Sequence, residues 1–131
     1  MEELYNLGIS ETTIKSMLEI NSEIKELTNG DIIIKKILLE EVNCTNSQIL
    51  NIIISNPLYL NRTKTEIINL IDCLNNHNFK CLNILFETNP YILNLEPYEI
   101  NNYINNRINN NELHDDIIDD LDSNLQLFNE M

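Results

Sequence analysis

A recurring asparagine constrains this chain more than any other feature. Asn21 precedes Ser22-Glu23-Ile24, Asn56 precedes Pro57-Leu58-Tyr59-Leu60-Asn61, and Asn89 precedes Pro90-Tyr91-Ile92-Leu93-Asn94. The three lie 35 (56 − 21) and 33 (89 − 56) residues apart. Self-similarity at a period of about 20–50 residues marks repeat architectures, where each unit buries its apolar face against its neighbours. Aligned on these asparagines, the preceding residues agree: Ile14, Met17 and Leu18; Ile49, Ile52 and Ile53; Leu82, Leu85 and Phe86. Each set shares one face of a helix. Ser10, Thr45 and Asn78 stand where an N-cap is needed, because their side chains accept from the free N–H groups of a first turn.

Each first helix should stop at its asparagine. Pro57 and Pro90 cannot continue a helix, and the residue before a proline is pushed out of the α region. Leu58-Tyr59-Leu60 and Tyr91-Ile92-Leu93 are too short for an α-helix and read as tight apolar 3₁₀ turns. Ile24 and Leu27 are the first-copy counterparts of these turns, without the proline, and Leu60 and Leu93 are expected to be buried at equivalent positions. A second helix follows in each copy: 32–41 after Asn29-Gly30-Asp31, 67–74 opened by Thr65-Glu66, and 98–108 after Pro97, a good first helical residue. Leu113, Ile117, Ile118, Leu121, Leu125 and Phe128 mark a closing helix with one apolar stripe and an acidic outside, as a capping element requires. Residues 1–6 offer only Leu4 and Tyr5 to the other end. The expected fold is all-α: a single domain over 1–131, built as a short helical-repeat solenoid. Three helix–turn–helix units (about 7–41, 42–74 and 75–108) precede a C-terminal capping helix (112–129).

Composition narrows the function classes. No alanine occurs, and asparagine and isoleucine abound. Intrinsic helix propensity is therefore modest, and the helices must be held by burial. The bias toward residues with AT-rich codons points to an AT-rich, bacterial genome. Eight Lys plus Arg face 21 Asp plus Glu, a net charge of −13. That field repels phosphate backbones and anionic lipid. Three cysteines, odd in number and without paired CxxC spacing, suit a reducing cytoplasm. The N-terminal residues carry no targeting pattern, and no apolar run is long enough to span a membrane.

Two constellations could hold metal. Asp115, Asp116, Asp119 and Asp120 pair at i, i+4 and could share a hard cation through oxygen, but they equally form the solvated face of a cap. Cys73, His77 and Cys81 are four apart, yet Asn75-Asn76-His77-Asn78 reads as a break between units, which destroys the helical spacing a zinc site would need. No nucleophile motif, phosphate loop or dinucleotide fingerprint occurs. The expectation is a non-enzymatic interaction module without cofactor or metal, whose partner is a protein or a second copy. If the turns between helices line the working face, Lys25, Tyr59, Arg62, Lys64 and Tyr91 are its candidate binding residues.

The unit resembles the repeat of the mitochondrial transcription termination factor (mTERF) family. There a copy runs Leu-Gly-(Phe/Ile)-Ser, helix, Asn-Pro-x-x-Leu, second helix. Leu7-Gly8-Ile9-Ser10 matches the opening; Asn56-Pro57-Leu58-Tyr59-Leu60 and Asn89-Pro90-Tyr91-Ile92-Leu93 match the middle. The likeness covers about 7–108. It implies a curved stack of helical units and, as an alternative function, a nucleic-acid-binding regulator related to transcription termination factors. The basic groove of that family is not matched, since Lys15, Lys25, Lys35, Lys36, Arg62, Lys64, Lys80 and Arg107 are few and scattered.

Overall fold

A computed structural model describes residues 1–131, helical throughout and without strands. The α-helices are α1 (Glu2–Asn6), α2 (Glu11–Ile20), α3 (Asn29–Glu41), α4 (Asn46–Ser55), α5 (Lys64–Asn76), α6 (Leu82–Thr88), α7 (Pro97–Asn109) and α8 (His114–Ser123). Four 3₁₀ turns follow the even-numbered helices: η1 (Ser22–Glu26), η2 (Pro57–Asn61), η3 (Pro90–Asn94) and η4 (Leu125–Glu130). α1 packs on α3, α3 on α5 and α5 on α7, while α4 packs on α6. The turns also touch in series, η1 to η2, η2 to η3 and η3 to η4. One continuous cluster of buried apolar side chains runs from Leu4 to Phe128.

Local chemistry sets the helix starts. The Ser10 hydroxyl accepts from the Thr13 N–H at 3.2 Å. Thr28, Thr45 and Thr63 form reciprocal capping boxes with Asp31, Gln48 and Glu66. Each box satisfies two N–H groups that a helix start leaves free. The second helices thus begin earlier than the sequence pattern implies: Thr28 rather than the Asn29–Asp31 turn caps α3, and Thr63 rather than Thr65 caps α5. A proline at the first position opens α7, where its missing N–H costs nothing.

Two kinds of helix end recur. Asn21, Asn56, Asn89 and Asn124 each stop a helix with φ between −132 and −138° and ψ between 72 and 86°. Leu60 and Leu93, four residues past Asn56 and Asn89, are fully buried as expected, and so is Phe128, four past Asn124. The other end is a left-handed residue: Gly8 (φ 93°), Asn43 (70°), Asn78 (68°) and Asn111 (69°). At each, the left-handed residue's N–H reaches back three residues and the next N–H five, as with Asn43 to Glu40 and Cys44 to Leu39. This is the Schellman pattern, which satisfies carbonyls that a helix end would strand.

Two further expectations are corrected. Asn78 is not an N-cap; it is a left-handed terminator equivalent to Asn43, and α6 starts at Leu82 behind Cys81, which makes no side-chain cap bond. Eleven residues separate Asn78 from Asn89, against 13 between Asn43 and Asn56, so α6 lacks a first turn that α4 has. The closing element is not one helix over 112–129. It breaks at Asn124 into α8 and η4, and Leu113 lies outside the stripe at 70% exposure. Residues 2–6 form α1, whose Leu4 is fully buried against α3.

Candidate interaction surface

The row of turns is held by an asparagine ladder. Asn21 Nδ2 donates to the Pro57 carbonyl at 3.0 Å, Asn56 Nδ2 to the Pro90 carbonyl at 3.0 Å, and Asn89 Nδ2 to the Leu125 carbonyl at 2.9 Å. A second asparagine completes each rung: Asn61 donates to Asn21 at 2.8 Å, Asn56 and Asn94 exchange bonds, and Asn89 donates to Asn129 at 3.1 Å. Asn21 and Asn56 are buried. A buried amide needs such partners, because leaving it unpaired costs the full price of desolvation. The residue that ends one helix therefore also fixes the turn after the next.

The five residues proposed from sequence do not form one site. Tyr59 is fully buried, and its hydroxyl donates to the Lys35 carbonyl at 2.7 Å. Burial pushes the Tyr59 phenol far above its ordinary range, so it stays neutral. Arg62 is sequestered: its guanidinium donates to Glu66 at 3.0 Å, to Glu96 at 2.6 Å and to the Leu95 carbonyl at 3.1 Å. Lys25, Lys64 and Tyr91 are exposed, Tyr91 at 49%. Tyr91 occupies in η3 the position that Leu58 (45% exposed) occupies in η2. The turn edge thus presents single apolar side chains.

Arg107, the other arginine, is also consumed internally. It donates to both Glu112 oxygens at 2.8 and 2.6 Å and to Asp120 at 2.8 Å, and its guanidinium lies 5.7 Å from the Tyr103 ring centre. Hydrogen bonds from Arg107 hold the Glu112 and Asp120 carboxyls below their ordinary range. Lys35 is buried, and desolvation lowers its pKa. Neither arginine is free to neutralise a phosphate, the contact that carries sequence-independent nucleic-acid affinity.

The surface feature that the sequence reading missed lies on the outward side of α3. Ile33, Ile34 and Ile37 are 38, 39 and 44% exposed there. Ile68 (37% exposed) holds the equivalent position to Ile33 on α5, the next helix in the row. The signal was present in Ile32-Ile33-Ile34 and Ile37. The core-facing stripe of α3 takes only Ile32 of that set, together with Lys35, Leu38 and Leu39, so the remaining isoleucines had to face outward.

Concave features are shallow and polar. The largest hollow, about 510 Å³, lies between α6 and η4 and has only Ile84 and Leu125 as apolar lining. Ligand pockets are as a rule mainly apolar with a few convergent polar groups. Cys44 is buried and its thiol is pushed up to about 11, first by desolvation and then by Glu87. Cys73 is buried, Cys81 is exposed at the head of α6, and nowhere do three or more His, Cys, Asp or Glu side chains gather as a metal site. The Asp115–Asp120 face belongs to α8, where Asp120 is engaged by Arg107 and Asn124. No helix is long and apolar enough to cross a membrane.

No known protein family, curated protein or solved structure gives a significant match to this chain.

Proposed function

We propose that the chain is a short helical-repeat solenoid that serves as a non-enzymatic protein-interaction module in the cytoplasm. The repeat reading rests on the recurrence of two helix-end geometries and the asparagine ladder at spacings of 33–36 residues. Three helix–turn–helix units (α2–α3, α4–α5, α6–α7) are followed by α8 and η4, and α1 shields the other end.

The observation that carries the interaction reading is the isoleucine face of α3, with Ile68 on the neighbouring α5, an apolar area on a surface of strongly negative charge. Clustered exposed apolar side chains rimmed by polar ones mark protein contact sites. A protein partner with an apolar contact and a basic rim fits that face. The family resemblance bears on the fold more than on activity. The clamped arginines weigh against nucleic-acid binding.

Affinity capture with the wild-type chain and with an Ile33→Glu, Ile37→Glu variant tests the reading. Both positions face outward, so the variant should keep its far-ultraviolet circular dichroism. A protein captured by the wild type and lost in the folded variant supports the proposal. Tight, salt-sensitive binding to duplex DNA or RNA, measured by fluorescence polarisation, would replace it with the transcription-factor-like alternative.

A further inference from the structure

We infer that His77 and His114 form a two-imidazole site for a divalent transition-metal ion such as Zn²⁺. They are the chain's only histidines, come from different parts of the fold, and meet head-on. His77 lies at the C-terminal end of α5 and His114 is the first residue of α8. His77 Nδ1 and His114 Nε2 are 2.9 Å apart, both partly buried. The ring centres lie 5.2 Å apart, the separation expected when half a ring is added at each end of that N···N line, so the facing nitrogens point at one another and the rings do not stack.

The outer nitrogens give the arrangement its character. His77 Nε2 lies 2.7 Å from Asn101 Oδ1, and His114 Nδ1 lies 3.6 Å from Asp115 Oδ1. A metal-bound histidine characteristically donates its outer N–H to a carboxylate or carbonyl oxygen, which leaves the inner nitrogen as a bare ligand. His77 meets that pattern through Asn101, while the Asp115 carboxylate stands near the outer side of His114, just beyond hydrogen-bond distance. With both rings neutral and no ion between them, the two demands conflict. If both outer nitrogens carry the proton, two lone pairs face each other at 2.9 Å. If one inner nitrogen carries it, that ring turns a lone pair toward its oxygen. A proton added between the inner nitrogens, or a metal ion held there, satisfies both rings at once.

Magnitudes permit it. Zn–N distances of about 2.0–2.1 Å at a tetrahedral angle separate two nitrogens by roughly 3.3 Å. The pair must open by a few tenths of an ångström and the rings must tilt out of their head-on line until both lone pairs converge on the ion; the His114 side chain, 34% exposed, has room to move. A hollow of about 290 Å³ beside His77, lined also by Asp115 and Asp119, leaves space for water as the remaining ligands. Imidazole selects Zn²⁺, Cu²⁺ or Ni²⁺ over Mg²⁺ or Ca²⁺. With two protein ligands, short of the usual three or four, the site is open and exchangeable. Lys80 lines the same hollow, and its ammonium opposes a cation.

Titration of the full chain with Zn²⁺, followed by calorimetry and by ¹⁵N chemical shifts of the imidazole rings, decides the matter. One saturable site in the micromolar range is expected, with shifts at His77 Nδ1 and His114 Nε2 and no competition from excess Mg²⁺. His77→Gln and His114→Gln should each weaken it at least tenfold. Asn101→Ala, which removes the outer oxygen, should weaken it by about tenfold or more, and Lys80→Gln should tighten it. Cys44→Ser and Cys81→Ser should leave it unchanged. Absence of a saturable site, or affinity retained in both glutamine variants, or lost in either serine variant, overturns the inference. Should His77→Gln fail to fold, His114→Gln, a partly exposed change at a helix start, decides alone.

Discussion

The ends of α1, α3 and α5 differ instructively from the end of α7. All four close on a left-handed residue with the same pair of backbone bonds. The residues at the two ends of the longer bond, which commonly touch in this motif, are Leu4 and Ile9, Leu39 and Cys44, and Leu74 and Phe79 in the first three cases. All six are buried. At the end of α7 the pair is Arg107 and Glu112, joined by two hydrogen bonds, with Asp120 of α8 as a third partner. Backbone satisfaction and one residue at positive φ therefore define the turn, while the clasp across it accepts either chemistry. The two chemistries should fail under different conditions.

The largest effect is expected at the apolar clasps. Leu74 and Leu39 are fully buried, so Leu74→Ala or Leu39→Ala should each cost about 2–5 kcal/mol in a urea series. That is much of the ~5–15 kcal/mol that holds a typical domain. Costs below about 0.5 kcal/mol, the level of surface positions, would show that the clasp is ornamental. Leu60→Ala and Leu93→Ala should fall in the same range and match one another, because both fill the same place under successive turns. Leu58→Ala, at a position 45% exposed, should cost far less.

The ladder gives a middle rank. Asn56→Ala removes the donor to the Pro90 carbonyl and both bonds with Asn94, and should cost about 1–3 kcal/mol. Asn124 stops α8 with the same backbone geometry, but its amide reaches only Asp120, four residues back. Asn124→Ala should therefore cost less than Asn56→Ala. Equal costs would mean that the asparagines serve as helix terminators alone.

The ionic clasp should show itself in pH dependence. Glu112 and Asp120 have folded-state pKa values below the ordinary 4.5 and 3.8, chiefly because Arg107 donates to them. A depressed carboxylate contributes stability that is complete above the unfolded value and is lost as pH falls through the folded one. Stability should thus decline below about pH 4.5, within the carboxylate range. Arg107→Gln should flatten that decline. A remainder should persist from Asp31 and Glu66, held low by the Thr28 and Thr63 backbone N–H groups of their capping boxes. An unchanged acid limb in Arg107→Gln would show that the clasp contributes nothing.

What could be read from sequence was whatever one residue type signals without ambiguity. Pro57 and Pro90 have one meaning inside a helical pattern, so the breaks at Asn56 and Asn89 and the burial of Leu60 and Leu93 were legible. Asparagine has several meanings. It caps a helix start, tolerates positive φ and ends helices, and in an Asn-rich chain these roles compete. Hence Asn78 read as a cap although it is a terminator, and the break at Asn124, with no proline behind it, did not register. Tyr59 and Arg62 looked available because sequence spacing does not reveal the Lys35 carbonyl or the Glu96 carboxylate that engage them. The meeting of His77 and His114 is a contact across 37 positions that periodicity cannot supply.

The smallest effects belong to the left-handed residues, and they test whether the four ends are one motif. Gly8 takes φ 93° without steric cost, whereas Asn43, Asn78 and Asn111 hold φ 68–70° with a Cβ present. Asn tolerates this region better than other side-chain-bearing residues, and Ala lacks the polar group that helps. Asn43→Ala should cost about 1 kcal/mol, by the penalty of an L-residue in that region. Asn43→Gly should be nearly neutral, because relief of strain is opposed by the greater freedom of glycine in the unfolded chain. The same pair of changes at Asn78 and Asn111 should reproduce the difference, whether the clasp beside it is Leu74 with Phe79 or Arg107 with Glu112. If the alanine-to-glycine gap collapsed only at Asn111, the ionic clasp would be shaping the backbone there. The turn would then depend on its side chains after all.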